Sequence, residues 1–237
     1  EQPRVAPGKP CAQGARQQCE SLLAAINLVE QTEGAPLVTM PVSKGQLFAG
    51  GLSFNGHTEL FRDLYPGHNL TMAFVACEYW MGLVTDHIPL AEVPTAATPQ
   101  RIADAAATLH RASGRTVALC GLNPHAGEQG HLGREEQGWC EVIAQVNAAG
   151  VPLCGPLPAD GLFARWTGEE AILALYHDQG LAPFKARFAN RSCQVSLGLP
   201  FLRTSPDHGT AYDLAGSVQA DTGSVSAALQ IAARSVS

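Results

Sequence analysis

Short, nearly unbroken apolar runs alternate along this chain with stretches in which apolar residues recur every three or four positions. Few folds accommodate that alternation. Residues 35–40, 71–76, 82–85, 116–120, 151–153, 171–176 and 194–197 form the runs, each of a length suited to a buried strand. Residues 12–33, 99–111, 134–149 and 225–233 carry helical spacing, with Ile102, Ala103, Ala106 and Leu109 on one face of the second. Gly150 closes the third, as a residue able to adopt a left-handed cap would. A further short helix is expected over 209–215. The pattern predicts an α/β fold, a mainly parallel sheet with helices on both faces. Gly-x-Gly-x-x-Gly is absent, so a dinucleotide would have to be held by something other than a Rossmann loop.

A chain of 237 residues can bury one large core or two modest ones. Its net charge of −6 argues against nucleic acid or an anionic membrane as partner, because both reward clustered Lys and Arg. A small anion held in a local basic pocket stays open. The longest apolar stretch, 70–84, is too short to span a membrane and contains Glu78. The seven cysteines are odd in number and include no C-x-x-C pair, so free thiols in a reducing, cytoplasmic setting are expected. Residues 1–10 are polar and proline-rich and read as an arm or linker.

Three histidines lie where an apolar run breaks into Gly, Pro and acidic residues: His87 in Thr85–Pro89, His125 in Asn123–Gly127 and His177 in Tyr176–Gly180. Such breaks mark strand ends at the rim of an α/β sheet, where ligands bind. Three neutral imidazoles converging there would hold a divalent metal with one position open for substrate. The competing reading of each is a loop histidine bonded to a backbone carbonyl. Imidazole-rich sites favour zinc, cobalt, nickel or iron over magnesium. Asp178 follows His177 directly, and Asp160 ends the turn-rich Gly155–Asp160. Either carboxylate would serve to take a proton or to orient a ligand histidine; alone, each would read as a cap or turn residue.

Gly56-His57-Thr58-Glu59 combines a flexible glycine, an imidazole and a hydroxyl at an expected helix start, a suitable seat for phosphate. The alternative makes Thr58 a plain helix cap. Lys185 and Arg203 are isolated cations beside apolar segments, and Arg203 is suited to a bidentate grip on phosphate or carboxylate. Ordinary solvated charge is the competing reading of both.

Four ordered blocks, Leu122–Glu128, Gly155–Asp160, Tyr176–Gly180 and Asp207–Ala211, resemble the 4-hydroxythreonine-4-phosphate dehydrogenase family of vitamin B6 biosynthesis. Gly56–Glu59 and Thr85–Leu90 fall in the matching order, so the resemblance runs over nearly the whole chain. It implies an isocitrate-dehydrogenase-like α/β/α fold that binds NAD or NADP without a Rossmann loop. It implies metal binding by His87, His125 and His177, with zinc favoured and cobalt or magnesium as alternatives. A homodimer would draw metal ligands from both subunits. The resemblance assigns His57, Thr58, Lys185, Gln194 and Arg203 to a phosphorylated substrate, and Asp207, His208 and Gly209 to the cofactor. Asp160 and Asp178 fall where family members place carboxylates near the reacting hydroxyl. Residues 1–45 with 208–237 would form the remnant of a first subdomain and 46–207 a second.

The implied reaction is NAD-dependent oxidation of 4-(phosphooxy)-threonine, with decarboxylation to 3-amino-2-oxopropyl phosphate. The chain also departs from the family pattern. Relatives carry roughly a further quarter of their length at the N-terminus, Gln194 stands where an asparagine is usual, and Trp80 replaces an arginine. Two alternatives follow: a dehydrogenase for 4-phosphothreonate or 4-phosphoerythronate, or a non-catalytic metal- or phosphate-binding relative. A zinc hydrolase is a further reading of three histidines, weakened by the absence of His-Glu-x-x-His.

Overall fold

The structure is a computed structural model that describes residues 5–49 and 56–234. Its elements begin with α1 (Ala12–Glu30), β1 (Leu37–Val38), α2 (Lys44–Ala49) and α3 (His57–Leu64). The hairpin β2 (Thr71–Ala76) and β3 (Tyr79–Leu83) leads to α4 (Val93–Ala96), α5 (Pro99–Ser113) and β4 (Thr116–Cys120). After α6 (Trp139–Ala148) come β5 (Leu153–Leu157), α7 (Ala159–Ala164), β6 (Glu170–Ala174) and α8 (His177–Phe188). The chain closes with β7 (Cys193–Leu197), β8 (Arg203–Pro206) and α9 (Gly223–Arg234).

Two compact units result: residues 1–68 with 190–237, and residues 69–189. The expected boundary of 46–207 for the second unit is therefore too wide. The physical reason is strand pairing. β8 lies between β1, which it meets in parallel at Leu37↔Arg203, and β7, which it meets antiparallel at Ser196↔Arg203. α3 joins the same unit through Phe201, whose ring lies 6.3 Å from Phe61 and 5.7 Å from Tyr65. α9 packs on β7 and β8, and Thr204 Oγ1 donates to Ala228 O at 3.0 Å.

In the 69–189 unit the strand order is β2-β3-β6-β4-β5. β2 pairs antiparallel with β3, while β3, β6, β4 and β5 all run in one direction. Helices cover both faces. A Cβ on Gly82 would meet Leu109 of α5 at 3.0 Å, and the Met81 Sδ would meet a Cβ on Gly180 of α8 at 2.5 Å. Met81 and Gly82 are consecutive strand residues and so point to opposite sides. The α8 side buries Phe74, Met81, Ile172, Leu181, Phe184 and Trp166 in one cluster. Each such large side chain contributes about 1.5–3 kcal/mol. Gly180 is what lets α8 approach this closely.

Several boundaries differ from expectation. β3 spans Tyr79–Leu83 rather than 82–85, and β5 spans Leu153–Leu157 rather than 151–153. The segment 209–215 holds only a 3-10 turn at Tyr212–Leu214. β8 has no apolar run to announce it, because its four residues, Arg203 to Pro206, are buried yet largely polar. α8 contains Gly180 and Pro183, which read as breaks in the sequence. All seven cysteines are free. Among the described residues no helix is long and apolar enough to cross a membrane.

Candidate functional site

Four parallel strands end at one rim of the 69–189 unit, and each end leads into a candidate side chain. Read across the sheet in the order β3-β6-β4-β5, the segments carry His87, His177, His125 and Asp160. His87 follows Leu83, His177 opens α8 after Ala174, His125 follows Cys120, and Asp160 lies in the first turn of α7 after Leu157. Carboxyl ends of parallel strands are the usual ligand-binding edge of such sheets. The turn reading of Asp160 gives way to a place in a helical first turn.

His87 and His177 face each other with ring centroids 5.4 Å apart and planes tilted by 38°. Two imidazoles sharing a tetrahedral cation at roughly 2.0–2.1 Å place their centroids about 5 Å apart. The spacing therefore fits two nitrogen donors on one cation. His177 Nδ1 lies 2.7 Å from Asp178 Oδ1. A proton on Nδ1 would donate to that carboxylate and leave Nε2 as the ligand atom. The loop-histidine reading fails for His177, whose ring is engaged by a carboxylate rather than a backbone carbonyl.

His125 is exposed and stands apart. Among the described residues no group of three or more His, Cys, Asp or Glu side chains closes around a common point within one copy of the chain. The fold thus brings two of the three expected ligands together and leaves the third on its own turn.

That turn is unusual. Residues 125–129 all have φ between 44° and 78°, so the backbone winds with the left hand. Left-handed conformation costs a non-glycine residue about 1–2 kcal/mol, and His125, Ala126, Glu128 and Gln129 all adopt it. Glu136, which is buried, holds the entry to the turn. Its Oε1 accepts from Leu122 N at 2.9 Å and Asn123 N at 2.7 Å, and its Oε2 accepts from Asn123 Nδ2 at 3.0 Å. Gly127 sits against the same carboxylate, since a Cβ there would lie 2.7 Å from Oε2. The sequence gives no hint of this role, because Glu136 falls in a charged run that reads as a solvated helix start.

The unit formed by residues 1–68 and 190–237 holds a different device. Arg203 is 2% exposed. Its Nε and Nη2 donate to Thr39 Oγ1 at 3.0 and 2.6 Å, and its Nη1 donates to Ser196 Oγ at 3.1 Å and to Gln194 Oε1. The Phe61 ring lies 5.7 Å from its guanidinium carbon. No carboxylate among the described residues pairs with it. Burial pushes its pKa down to about 9. His57, at the start of α3, is pushed down to about 3, first by burial and then by the Arg203 charge. It is therefore neutral at neutral pH, able to donate from one nitrogen and accept at the other. Gly56 caps α3 and no side chain does, so Thr58 is not the helix cap.

A cavity of about 470 Å³ opens beside this group, lined by His57, Thr39, Ser21, Gln17 and Gln18 among others. Gln18 Oε1 is buried without a partner among the described residues. The Gln194 amide is engaged within the protein: Oε1 accepts from Arg203 and from Ser205 Oγ at 3.0 Å, and Nε2 donates one of its two hydrogens to Ser196 Oγ at 3.2 Å. Lys185 is exposed on α8 in the other unit. Asp207 acts as a brace, its Oδ2 accepting from Ser192 Oγ at 2.6 Å while its N–H donates to Ser224 Oγ at 3.0 Å. His208 and Gly209 are exposed in the turn that follows, with His208 Nδ1 2.8 Å from Gly209 O.

Known proteins resemble this chain along most of its length. The 4-hydroxythreonine-4-phosphate dehydrogenase of Pseudomonas syringae pv. tomato is 44% identical over 206 residues, covering 83% of this chain and 63% of that protein. The enzyme of the same name from Enterobacter sp. (strain 638) is 42% identical, covering 86% of this chain and 65% of its own length. A crystal structure of the Klebsiella pneumoniae protein of that name superposes with a TM-score of 0.82 at 31% identity, over 98% of this chain and 74% of that one. The chain thus spans less than two thirds of the length of these curated relatives. The family described as pyridoxal phosphate biosynthetic protein PdxA matches residues 1–232, and this chain belongs to it.

Proposed function

We propose that this chain catalyses metal- and NAD(P)-dependent oxidation of 4-(phosphooxy)-threonine, with loss of CO2 to give 3-amino-2-oxopropyl phosphate. The observation that carries the reading is the ordered rim of His87, His177, His125 and Asp160 at the ends of four parallel strands, with the first two rings 5.4 Å apart. Membership of the family and relatives named as dehydrogenases support it. When bound, a divalent cation would supply Lewis acidity and a nicotinamide would supply a hydride acceptor. Zinc suits the imidazole donors best, with cobalt or magnesium as alternatives.

The chain's own groups do the rest. Nε2 of His177 and a ring nitrogen of His87 would hold the cation, with Asp178 fixing the His177 tautomer. Asp160, whose carboxylate is exposed, takes the hydroxyl proton. Arg203, neutral His57 and Thr58 hold the phosphate, where a buried cation without a carboxylate partner has most to gain from an anion. Lys185 is assigned to binding of a phosphorylated substrate as well. Asp207 supports the turn bearing His208 and Gly209, which contact the cofactor.

His125 completes the metal site from a second copy of the chain in a homodimer. Mixing His125→Ala with His177→Ala protein should then restore a fraction of sites with the parental zinc affinity, which both variants lack alone. No recovery on mixing would place all ligands in one copy.

The reaction is tested by NADH formation from 4-(phosphooxy)-threonine with zinc present. NADH from 4-phosphothreonate or 4-phosphoerythronate instead would move the chain to that substrate class. No NADH from any of the three, with zinc still bound, would make it a non-catalytic relative.

A further inference from the structure

We propose that Gln179 is a positioning residue for the metal site, its side-chain amide standing in for a missing rung between the strand ends that carry His177 and His125. The inference rests on the metal reading above and concerns only the 69–189 unit.

Between β4 and β6 the paired residues run from Thr116↔Glu170 to Leu119↔Leu173 and then stop. Beyond that point the strands must diverge, one toward the left-handed turn of His125 and the other into α8. Peptide groups at such ends lose their ladder partners and need others. Gln179 supplies both. Its Oε1 accepts from Leu175 N at 2.7 Å, and its Nε2 donates to Gly121 O at 2.7 Å. One primary amide thus presents an acceptor to one strand and a donor to the next, as a backbone peptide would.

The neighbouring peptide groups of the same two residues reach the other two rim segments. Leu175 O accepts from Thr85 N at 3.1 Å and from Thr85 Oγ1 at 2.6 Å. Gly121 N donates to Leu157 O at 2.7 Å. Thr85 lies two residues before His87, Leu175 two before His177, Gly121 four before His125 and Leu157 three before Asp160. A continuous run of hydrogen bonds, Thr85–Leu175–Gln179–Gly121–Leu157, therefore sits directly beneath all four candidate side chains. The links at its two ends use backbone groups and would survive most substitutions. The central link is a single side chain. Thr85 and Leu175 are buried, so a released peptide group there would find no water.

The geometry predicts that losing the amide frees the His125 turn from the His177 segment, while the His87–His177 pair, tied through Thr85, stays in place. Zinc affinity of the full chain, measured by chelator competition, reads this without turnover. Gln179→Met removes donor and acceptor at similar volume; Gln179→Glu keeps the acceptor for Leu175 and replaces the donor to Gly121 by a carboxylate oxygen that its carbonyl repels. Both should weaken zinc binding about tenfold or more, the usual effect of losing a group that orients ligands. In a His125→Ala background the further loss from either should shrink to less than about threefold, because the ligand they position is gone. A purely structural role would lower affinity by the same factor in both backgrounds, and that result overturns the proposal. So does parental affinity in both Gln179 variants while His125→Ala loses zinc. If His87→Ala, His125→Ala and His177→Ala all bind zinc as the parent does, the metal reading itself fails.

Discussion

The histidine rim and the arginine seat solve opposite problems. At the rim His87, His125 and Asp160 are exposed and His177 partly so, and what is buried is the scaffold beneath them: Leu175, Thr85 and Glu136. At the seat the reactive group itself is buried, and hydroxyls of Thr39 and Ser196 grip the Arg203 guanidinium directly. A neutral imidazole that solvent can reach is the kind of group that ligates a metal ion. A buried guanidinium cannot shed its charge at neutral pH and so waits for an anion. On the proposed function, the rim would serve reversible ligation and the seat a fixed field.

The sharpest way to break this contrast is to remove one member of each. His177→Ala should lower zinc affinity about a hundredfold, since it deletes one of two facing donors and the Asp178 link with it. Arg203→Met should leave zinc affinity unchanged. A matching loss in Arg203→Met, by the same chelator competition, would show that the two devices are not independent.

Next comes the pH response of the seat. His57 has its folded pKa depressed to about 3 from an ordinary value of 6.5. Between those values the unfolded chain binds a proton that the folded chain refuses, so stability falls as pH drops from 6.5 toward 3. At about 1.4 kcal/mol per pH unit, His57 alone should remove on the order of 2–3 kcal/mol by pH 4.5. Urea unfolding of the parent and of His57→Gln at pH 7 and 4.5 measures the difference. Arg203→Met should recover part of it, because the neighbouring charge is the lesser of the two causes. An equal loss in parent and His57→Gln would remove His57 from the account.

A smaller effect is expected beneath the rim. Glu136→Gln exchanges one acceptor oxygen for a donor facing Asn123 Nδ2 or two backbone N–H groups. It should cost about 2 kcal/mol of unfolding free energy. Smallest of all is Asp178→Asn, which should weaken zinc binding up to about tenfold, since that side chain is 86% exposed and its hold on His177 is open to water. A larger loss from Asp178→Asn than from His177→Ala would reverse their roles.

The sequence made the rim legible because a strand end has a visible signature. An apolar run that breaks at Thr85, Gly121 or Tyr176 is seen without knowing the fold, and His87, His125 and His177 follow each break. Arg203 was visible as a cation but not as a strand residue, since burial of Arg203-Thr204-Ser205-Pro206 depends on polar partners supplied by Thr39 and Gln194. Gln179 and Glu136 bond mainly to backbone groups, and backbone groups carry no sequence label. Gln179 lies in the Tyr176–Gly180 motif, where His177 and Asp178 carry the visible chemistry; Glu136 lies in a charged run like many others. Position along the chain likewise does not tell that the segment before His68 packs with the one after Asn190, because that grouping is set by strand pairing over long separations.

The reverse-handed turn at 125–129 turns a familiar rule of composition upside down. In an ordinary helix a glycine weakens the structure; here the L-configured side chains of Glu128 and Gln129 are the misfits, and both are exposed. Glu128→Gly or Gln129→Gly should therefore raise the melting temperature or leave it level instead of lowering it. A D-amino acid placed by chemical synthesis at either position would adopt its preferred conformation without effort. For the five residues that begin at His125, the backbone winds as the reflection of an ordinary helix would.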